Sequence, residues 1–195
     1  VGDFYASGMD VARLKSLGVR PLAPEFERIA KVQGPTALAE ELARVQMITG
    51  DSVMIAALVA PHPQDRARTT IYVGDADLGL GTDNYVEPDA QRIRDGYVAM
   101  IADYLVIAGW KPETARATAQ MVLAIETRVA KRKLTPLEKR DPAKRFVPMP
   151  YADVRRLLSN VDLDAYFRTL GLPTGGEVVA VDVAALRERN AVLAE

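Results

Sequence analysis

The sequence predicts a mainly α-helical protein, a multi-helix assembly that carries one small β-hairpin at about 53–60 and 68–73. A third short strand at 177–181 is the candidate companion of that hairpin. Three observations lead there. Apolar residues recur at helical spacing through most of the chain, and the stripes are punctuated by proline at their starts and glycine at their ends. Two short runs, Val53–Ala60 and Thr69–Val73, are rich in apolar and β-branched residues and flank the polar turn Pro61–Arg66. A lone hairpin is marginally stable, so it needs helices or a further strand, and Glu177–Val181 has the composition to supply one.

The elements follow in order. Gly2–Tyr5, with Val1 before them, have the pattern of a helix interior. Asp10 is placed to cap a short helix ending at Gly18, where glycine takes a left-handed conformation. Pro24 opens a second helix with Phe26, Ile29, Ala30 and Gln33 on one side, closed by Gly34. Thr36 is expected to cap a third, striped by Leu38, Leu42, Val45 and Ile48 and followed by Gly50. The three are expected to form a compact helical opening. The run Val53–Ala60 fits a strand buried on both faces, and its pattern alone also fits a buried helical turn.

Pro88 opens the longest helix of the first half, with Ile93, Tyr97, Met100, Ile101, Tyr104 and Leu105 as its stripe and Gly109 as its stop. Pro112 opens an antiparallel partner that turns Ala115, Ala119, Val122, Leu123, Glu126, Val129 and Ala130 inward. Short helices are expected after Thr135-Pro136, around Tyr151–Leu158 and Asp162–Leu170, and over Val183–Glu195. Neither an internal repeat nor a low-complexity segment interrupts residues 1–195, which read as a single segment with no internal boundary.

Composition narrows the function. Of 195 residues, 25 are basic and 26 acidic, so the formal net charge of −1 supplies no whole-molecule field for nucleic acid or an anionic membrane. No apolar run approaches the ~20 residues of a membrane span. Cysteine is absent, which excludes disulfides, thiolate chemistry and cysteine-based zinc or iron–sulfur sites in this chain. His62, the single histidine, lies in Pro61-His62-Pro63 and is expected to be a solvated turn residue. One histidine without cysteine cannot assemble a common zinc site. Ser7, Ser16, Ser52 and Ser159 stand in neither a nucleophile elbow nor a Ser-x-x-Lys pair.

Two motifs invite sharper readings. The loop Gly74–Val86 holds Gly79-x-Gly81, but Asn84 occupies the third glycine position of a dinucleotide loop and the helix begins too late. As a calcium loop it offers Asp75 and Asp77, but Leu80 and Val86 replace the turn glycine and closing glutamate. A tight connection whose glycines permit unusual backbone angles is the better reading, and it is compatible with adventitious calcium. The segment 128–145 concentrates Arg128, Lys131, Arg132, Lys133, Lys139, Arg140, Lys144 and Arg145. With Phe146 as the one aromatic nearby, it reads as a solvated helix end rather than a nucleic-acid surface. Pairing across an interface with the acidic loop residues Asp75, Asp77, Asp83, Glu87 and Asp89 is the other reading.

Taken together, Val1–Asp10, Gly18-Val19-Arg20-Pro21-Leu22, Leu78-Gly79-Leu80-Gly81-Thr82-Asp83-Asn84-Tyr85, Ile125-Glu126, Val129-Ala130, Arg140-Asp141-Pro142, Pro148-Met149 and Glu177-Val178-Val179 resemble a known pattern. It is that of the N-terminal part of the neprilysin-like zinc metallopeptidases, and its order and spacing hold over essentially the whole chain. The sequence departs from it at Thr82–Val86 and at Phe146-Val147. The resemblance implies a zinc metalloendopeptidase or oligopeptidase of bacterial type, acting on peptides inside a two-lobed chamber. Its zinc ligands and catalytic glutamate belong to a His-Glu-x-x-His helix and a downstream glutamate, none of which matches a position here. The expectations are therefore no catalytic, metal or substrate-binding residue in this chain, and no cofactor of its own, with zinc implied for the parent enzyme. The chain is expected to be an N-terminal scaffold portion, inactive alone, with the catalytic portion as partner and a periplasmic or extracellular location. The alternative is a stand-alone helical interaction module without enzymatic activity.

Overall fold

A computed structural model describes residues 2–195, so Val1 and the helical expectation placed on it lie outside the described residues. The helices are α1 (Gly2–Met9), α2 (Val11–Leu17), α3 (Ala23–Ile29), α4 (Gly34–Thr49), α5 (Thr82–Val86), α6 (Gln91–Ile107), α7 (Pro112–Ala130), α8 (Pro142–Arg145), α9 (Tyr151–Leu157), α10 (Leu163–Thr169) and α11 (Val183–Val192). The strands are β1 (Ile55–Pro61), β2 (Thr69–Asp75), β3 (Phe146–Pro150) and β4 (Glu177–Val181). The fold is mainly α with one small mixed sheet. No helix among the described residues is long and apolar enough to cross a membrane.

The hairpin forms as expected, in antiparallel register from Ile55 opposite Asp75 to Pro61 opposite Thr69. The third strand is β4, which runs parallel to β2 with Tyr72 opposite Val179. A fourth, β3, completes the order β1-β2-β4-β3. Sequence reasoning missed it because Pro148 and Pro150 remove two amide donors from its five residues. Its place at the edge of the sheet tolerates that.

One face of the sheet is the core. Ile55, Ala57, Ile71, Val73, Val178 and Ala180 pack on Ala39, Leu42 and Ala43 of α4, on Tyr151 and Val154 of α9, and on Tyr166 and Phe167 of α10. Within the run Val53–Ala60 the strand begins only at Ile55, and it is not buried on both faces. β1 is an edge, and Leu58 and Val59 are more than half exposed. Its outer edge is partly occupied. Gln46 Nε2 donates to the Ala57 carbonyl at 2.7 Å, and the Tyr166 hydroxyl reaches both Gln46 Oε1 and, at 3.1 Å, the Ile55 carbonyl. Side-chain donors on backbone acceptors blunt an edge that would otherwise invite pairing.

Several boundaries move. Asp10 caps α2 as expected, accepting from Arg13 N at 3.0 Å, but Gly18 takes φ 54, ψ −135, outside the left-handed helical well. Gly34, with φ 79, does not close α3, which has already ended at Ile29; it admits the chain into α4. Thr36 is not the cap of α4. Pro35 occupies its first turn, and the Thr36 hydroxyl instead donates to Asp162 Oδ2 at 2.9 Å, tying α4 to α10. The buried side of α4 is Ala39, Glu41, Leu42 and Ala43, so Ile48 of the expected stripe is exposed.

The largest departure is the opening. Helices α1, α2 and α3 contain no buried residue, so they are not the compact unit expected. On α6, likewise, Tyr97 is the one buried residue, while Ile93, Met100 and Tyr104 of the same stripe lie exposed. Helix α7 turns Ala115, Ala119, Val129 and Ala130 inward as expected.

Candidate functional site

Two polar clusters, one buried and one part-buried, hold the hairpin, its loop and the helices together, and they take in Asp75, Lys133 and Gly79 from among the residues that had suggested chemistry. The first lies at the end of β2. Asp75 forms a buried ion pair with Lys133, and Arg189 of α11 stands 3.9 Å from the same oxygen, Asp75 Oδ2. Burial pushes the Asp75 carboxyl above the usual aspartate range, against the pull of Lys133 and Arg189. Burial also lowers the Arg189 guanidinium, which donates to the Ala76 carbonyl at 2.9 Å and keeps an unpartnered Nε. Beside them Asp182, at φ 52 the one described non-glycine residue with positive φ, accepts from Leu134 N at 2.8 Å and from Ala185 N at 3.3 Å. One carboxylate so placed caps α11 and anchors the exit from α7.

The second cluster is built on Glu126. Its carboxylate accepts the Gly79 amide at 3.2 Å and the Tyr85 hydroxyl at 2.9 Å, and that hydroxyl accepts the Leu80 amide at 2.8 Å. Burial, then the hydrogen bond to Glu126, pushes the phenols upward, Tyr97 to about 12 and Tyr85 further. The loop glycines Gly74, Gly79 and Gly81 do not adopt positive φ. Their value is size. A Cβ on Gly79 would sit 1.8 Å from Tyr97 Oη, and one on Gly74 would sit 3.2 Å from Val181 Cβ. The expectation of unusual backbone angles is therefore replaced by close approach, of a phenol in one case and a neighbouring strand in the other.

The other candidates resolve in the same direction. His62 is not a solvated turn residue but 4% exposed. Its Nδ1 accepts from Gln64 N at 3.2 Å, while Nε2 lies 3.4 Å from Glu177 Oε1 without hydrogen-bond alignment. Most cations of the basic segment find partners within the chain. Arg128 meets Glu188 and Glu195 at 2.9 and 2.7 Å, Arg132 meets Glu188 at 3.6 Å, and Arg145 lies 4.9 Å from the Phe146 ring centre. Of the five loop acids, Asp75 alone enters an ion pair among the described residues, and it does so inside the fold rather than across an interface. Among those residues no three His, Asp or Glu side chains are grouped to hold a metal ion. What these clusters do chemically is fix geometry, with each charge spent on another charge or on a backbone group.

A signal for the second cluster was present in the sequence. Glu126 falls on the inward stripe of α7, where a carboxylate requires partners. The first cluster joins residues 75, 133, 182 and 189, and no local pattern links them.

The whole of the chain, residues 1–195, matches the model of Peptidase family M13 for the N-terminal region. The chain belongs to peptidase family M13. Solved structures agree with the M13 assignment at the level of the fold. The chain is similar to Mycobacterium tuberculosis zinc metalloprotease ZMP1 in an open state, at 23% identity and a TM-score of 0.89, with 100% of this chain and 30% of that one covered. It is similar to the same protease in complex with an inhibitor, at 23% identity and a TM-score of 0.87, covering 99% of this chain and 30% of that one. PEPO from Lactobacillus rhamnosis is a more distant neighbour, at 14% identity and a TM-score of 0.65, covering 92% and 31%. No curated protein matches. The M13 chain thus spans about a third of the length of the structures it matches.

Proposed function

We propose that this chain is the N-terminal scaffold portion of a zinc-dependent metalloendopeptidase that hydrolyses peptides inside a chamber. On this reading the zinc ligands, the catalytic glutamate and the substrate-holding residues belong to a catalytic portion outside residues 1–195, and the chain alone is inactive. The observation that carries the reading is the match to family M13 over the entire chain, joined to coverage of only 30% of the ZMP1 structures. The character of the two polar clusters supports it. Asp75–Lys133–Arg189 and Glu126–Tyr85–Gly79 tie the sheet and its loop to α7 and α11, a cross-linking suited to a chamber wall.

The test is reconstitution. Purified alone with added zinc, the chain is expected to leave a quenched fluorescent peptide uncut. Co-expressed with the polypeptide bearing the His-Glu-x-x-His helix of the same reading frame, it is expected to enter a complex that cuts the peptide. Cleavage by a sample shown by intact mass to hold only these residues would overturn the proposal. Failure of the two polypeptides to associate, with the chain a monomer that melts cooperatively, would favour the stand-alone interaction module instead. The reading also carries an expected location in the periplasm or outside the cell, supported by the resemblance to bacterial members of the family. Recovery of the protein from the cytoplasmic fraction would remove that part.

A further inference from the structure

The turn between β1 and β2, residues 62–68, is exposed except at its first residues. Gln64, Asp65, Arg66, Ala67 and Arg68 are open to solvent, whereas the His62 side chain is almost wholly buried. Backbone bonds close the base of the turn. His62 N donates to the Arg68 carbonyl at 2.8 Å, and Arg68 N donates to the Asp65 carbonyl at 3.0 Å. The tip is held by the imidazole, whose Nδ1 accepts the Gln64 amide at 3.2 Å. That nitrogen therefore carries no proton, and the neutral ring carries its single proton on Nε2.

On the other side of the ring, Nε2 is buried without an aligned acceptor. Among the described residues, the one acid within 4 Å of it is Glu177 of β4, with Oε1 at 3.4 Å. Glu177 is about half exposed and offers the same oxygen to Arg68, also at 3.4 Å, and Arg68 lies 3.7 Å from Asp65 in the turn. The two ring nitrogens thus respond to acid in opposite ways. A second proton has to go on Nδ1, where it faces the Gln64 N–H, and two donors cannot share a hydrogen bond. The charge so gained is attracted to Glu177, but that carboxylate is screened by water and already shared with Arg68. A buried imidazolium needs more than a screened partner, so release of the tip wins over a closed ion pair.

We propose that His62 is an acid-sensitive latch: protonation of Nδ1 releases the Gln64 amide and opens residues 62–68 beside the start of β4. The open turn binds one more proton than the closed one. Closure is therefore complete where a solvated histidine is neutral, and it is lost as the pH falls through the interval of about 8 to 5 in which such a ring charges.

His62 is the only histidine in the 195-residue chain, so its ring signals in nitrogen-15 spectra are unambiguous. The ring is expected to be the Nε2–H tautomer at pH 8, and the Gln64 amide signal is expected to move and broaden in step with the ring as acid is added. Hydrogen exchange, corrected for the intrinsic effect of pH, is expected to show protection of residues 62–68 falling by up to ~10-fold per pH unit, with Val178–Ala180 of β4 unchanged. His62→Asn offers the Gln64 amide an acceptor that does not titrate, and it is expected to abolish this dependence. Glu177→Gln is expected to keep it. An Nδ1–H tautomer at pH 8, or a ring that charges while the Gln64 amide stays fixed, would overturn the proposal. So would a pH dependence that survives in His62→Asn, which would assign it to a carboxylate, or one that vanishes in Glu177→Gln, which would assign it to the ion pair. If His62→Asn does not fold, the ring and amide signals of the unaltered chain decide alone.

Discussion

Gly79 and Tyr97 occupy overlapping space, and changing one constrains the other. Gly79→Ala drives a methyl into the Tyr97 phenol, whose ring is buried and cannot swing clear. The expected cost is ~1–3 kcal/mol by thermal melting, as for other overpacked interiors. A double-mutant cycle with Tyr97→Ala should show the two costs to be far from additive. Lys133→Met is a harsher change because it strands Asp75 at a site where both side chains are at most a tenth exposed. The expected loss is ~3–5 kcal/mol, with Asp75→Asn in the same chain recovering part of it. Neither pair is legible in the sequence. In the sequence Gly79 reads as one glycine of a tight connection, and Lys133 as one more cation in a solvated helix end. Their partners lie on other elements, and only the fold brings them within reach.

At the scale of elements, what was legible was what local chemistry decides. Pro88 before α6 and Gly109 after it bracket that helix, Pro112 opens α7, Asp10 and Asp162 cap α2 and α10, and Thr135 with Glu138 forms a reciprocal capping box at 3.0 and 3.2 Å. What was not legible depends on neighbours. β3 reads as loop because its prolines are unfavourable in any strand but an edge, and edge status is a property of the sheet. Asp162 supplies a test of how the elements are joined. The Ala165 amide and the Thr36 hydroxyl hold its carboxyl below the ordinary value of 3.8. The folded state therefore keeps the charge to lower pH than the unfolded chain does. The stabilisation is complete above 3.8 and is lost as the pH falls below it through the lowered folded value. Melting curves of the chain and of Asp162→Asn across that range should converge on the acid side. A gap that stays constant would mean that the charge is not what joins α4 to α10.

For the whole molecule, the M13 assignment and the uncovered apolar sides of α1–α3 and α6 lead to one expectation. The catalytic portion should stabilise this chain, because a partner that binds only the folded form adds ~2.7 kcal/mol at a hundred times its dissociation constant. A melting temperature unchanged by saturating partner would contradict it. The overall character, mainly helical with one small sheet, was legible because helical periodicity persists in surfaces that this chain leaves bare. The expected inward stripe of α6 illustrates the point. Periodicity reports that Ile93, Met100 and Tyr104 belong against something, and it does not say whether that something is in the same segment.

The parallel pairing of β2 with β4 has a consequence in time. Tyr72 lies opposite Val179, so the second neighbour of β2 leaves the ribosome ~5–20 s after β2 itself at synthesis rates of ~5–20 residues per second. Through that interval β2 has β1 on one side and an open, apolar edge on the other. Nascent chains stalled before Val178 should be held by chaperones and cut readily by protease, and those extended past Val181 should be released and resistant. The vulnerable period of β2 is set by a five-residue strand that follows it by about a hundred residues.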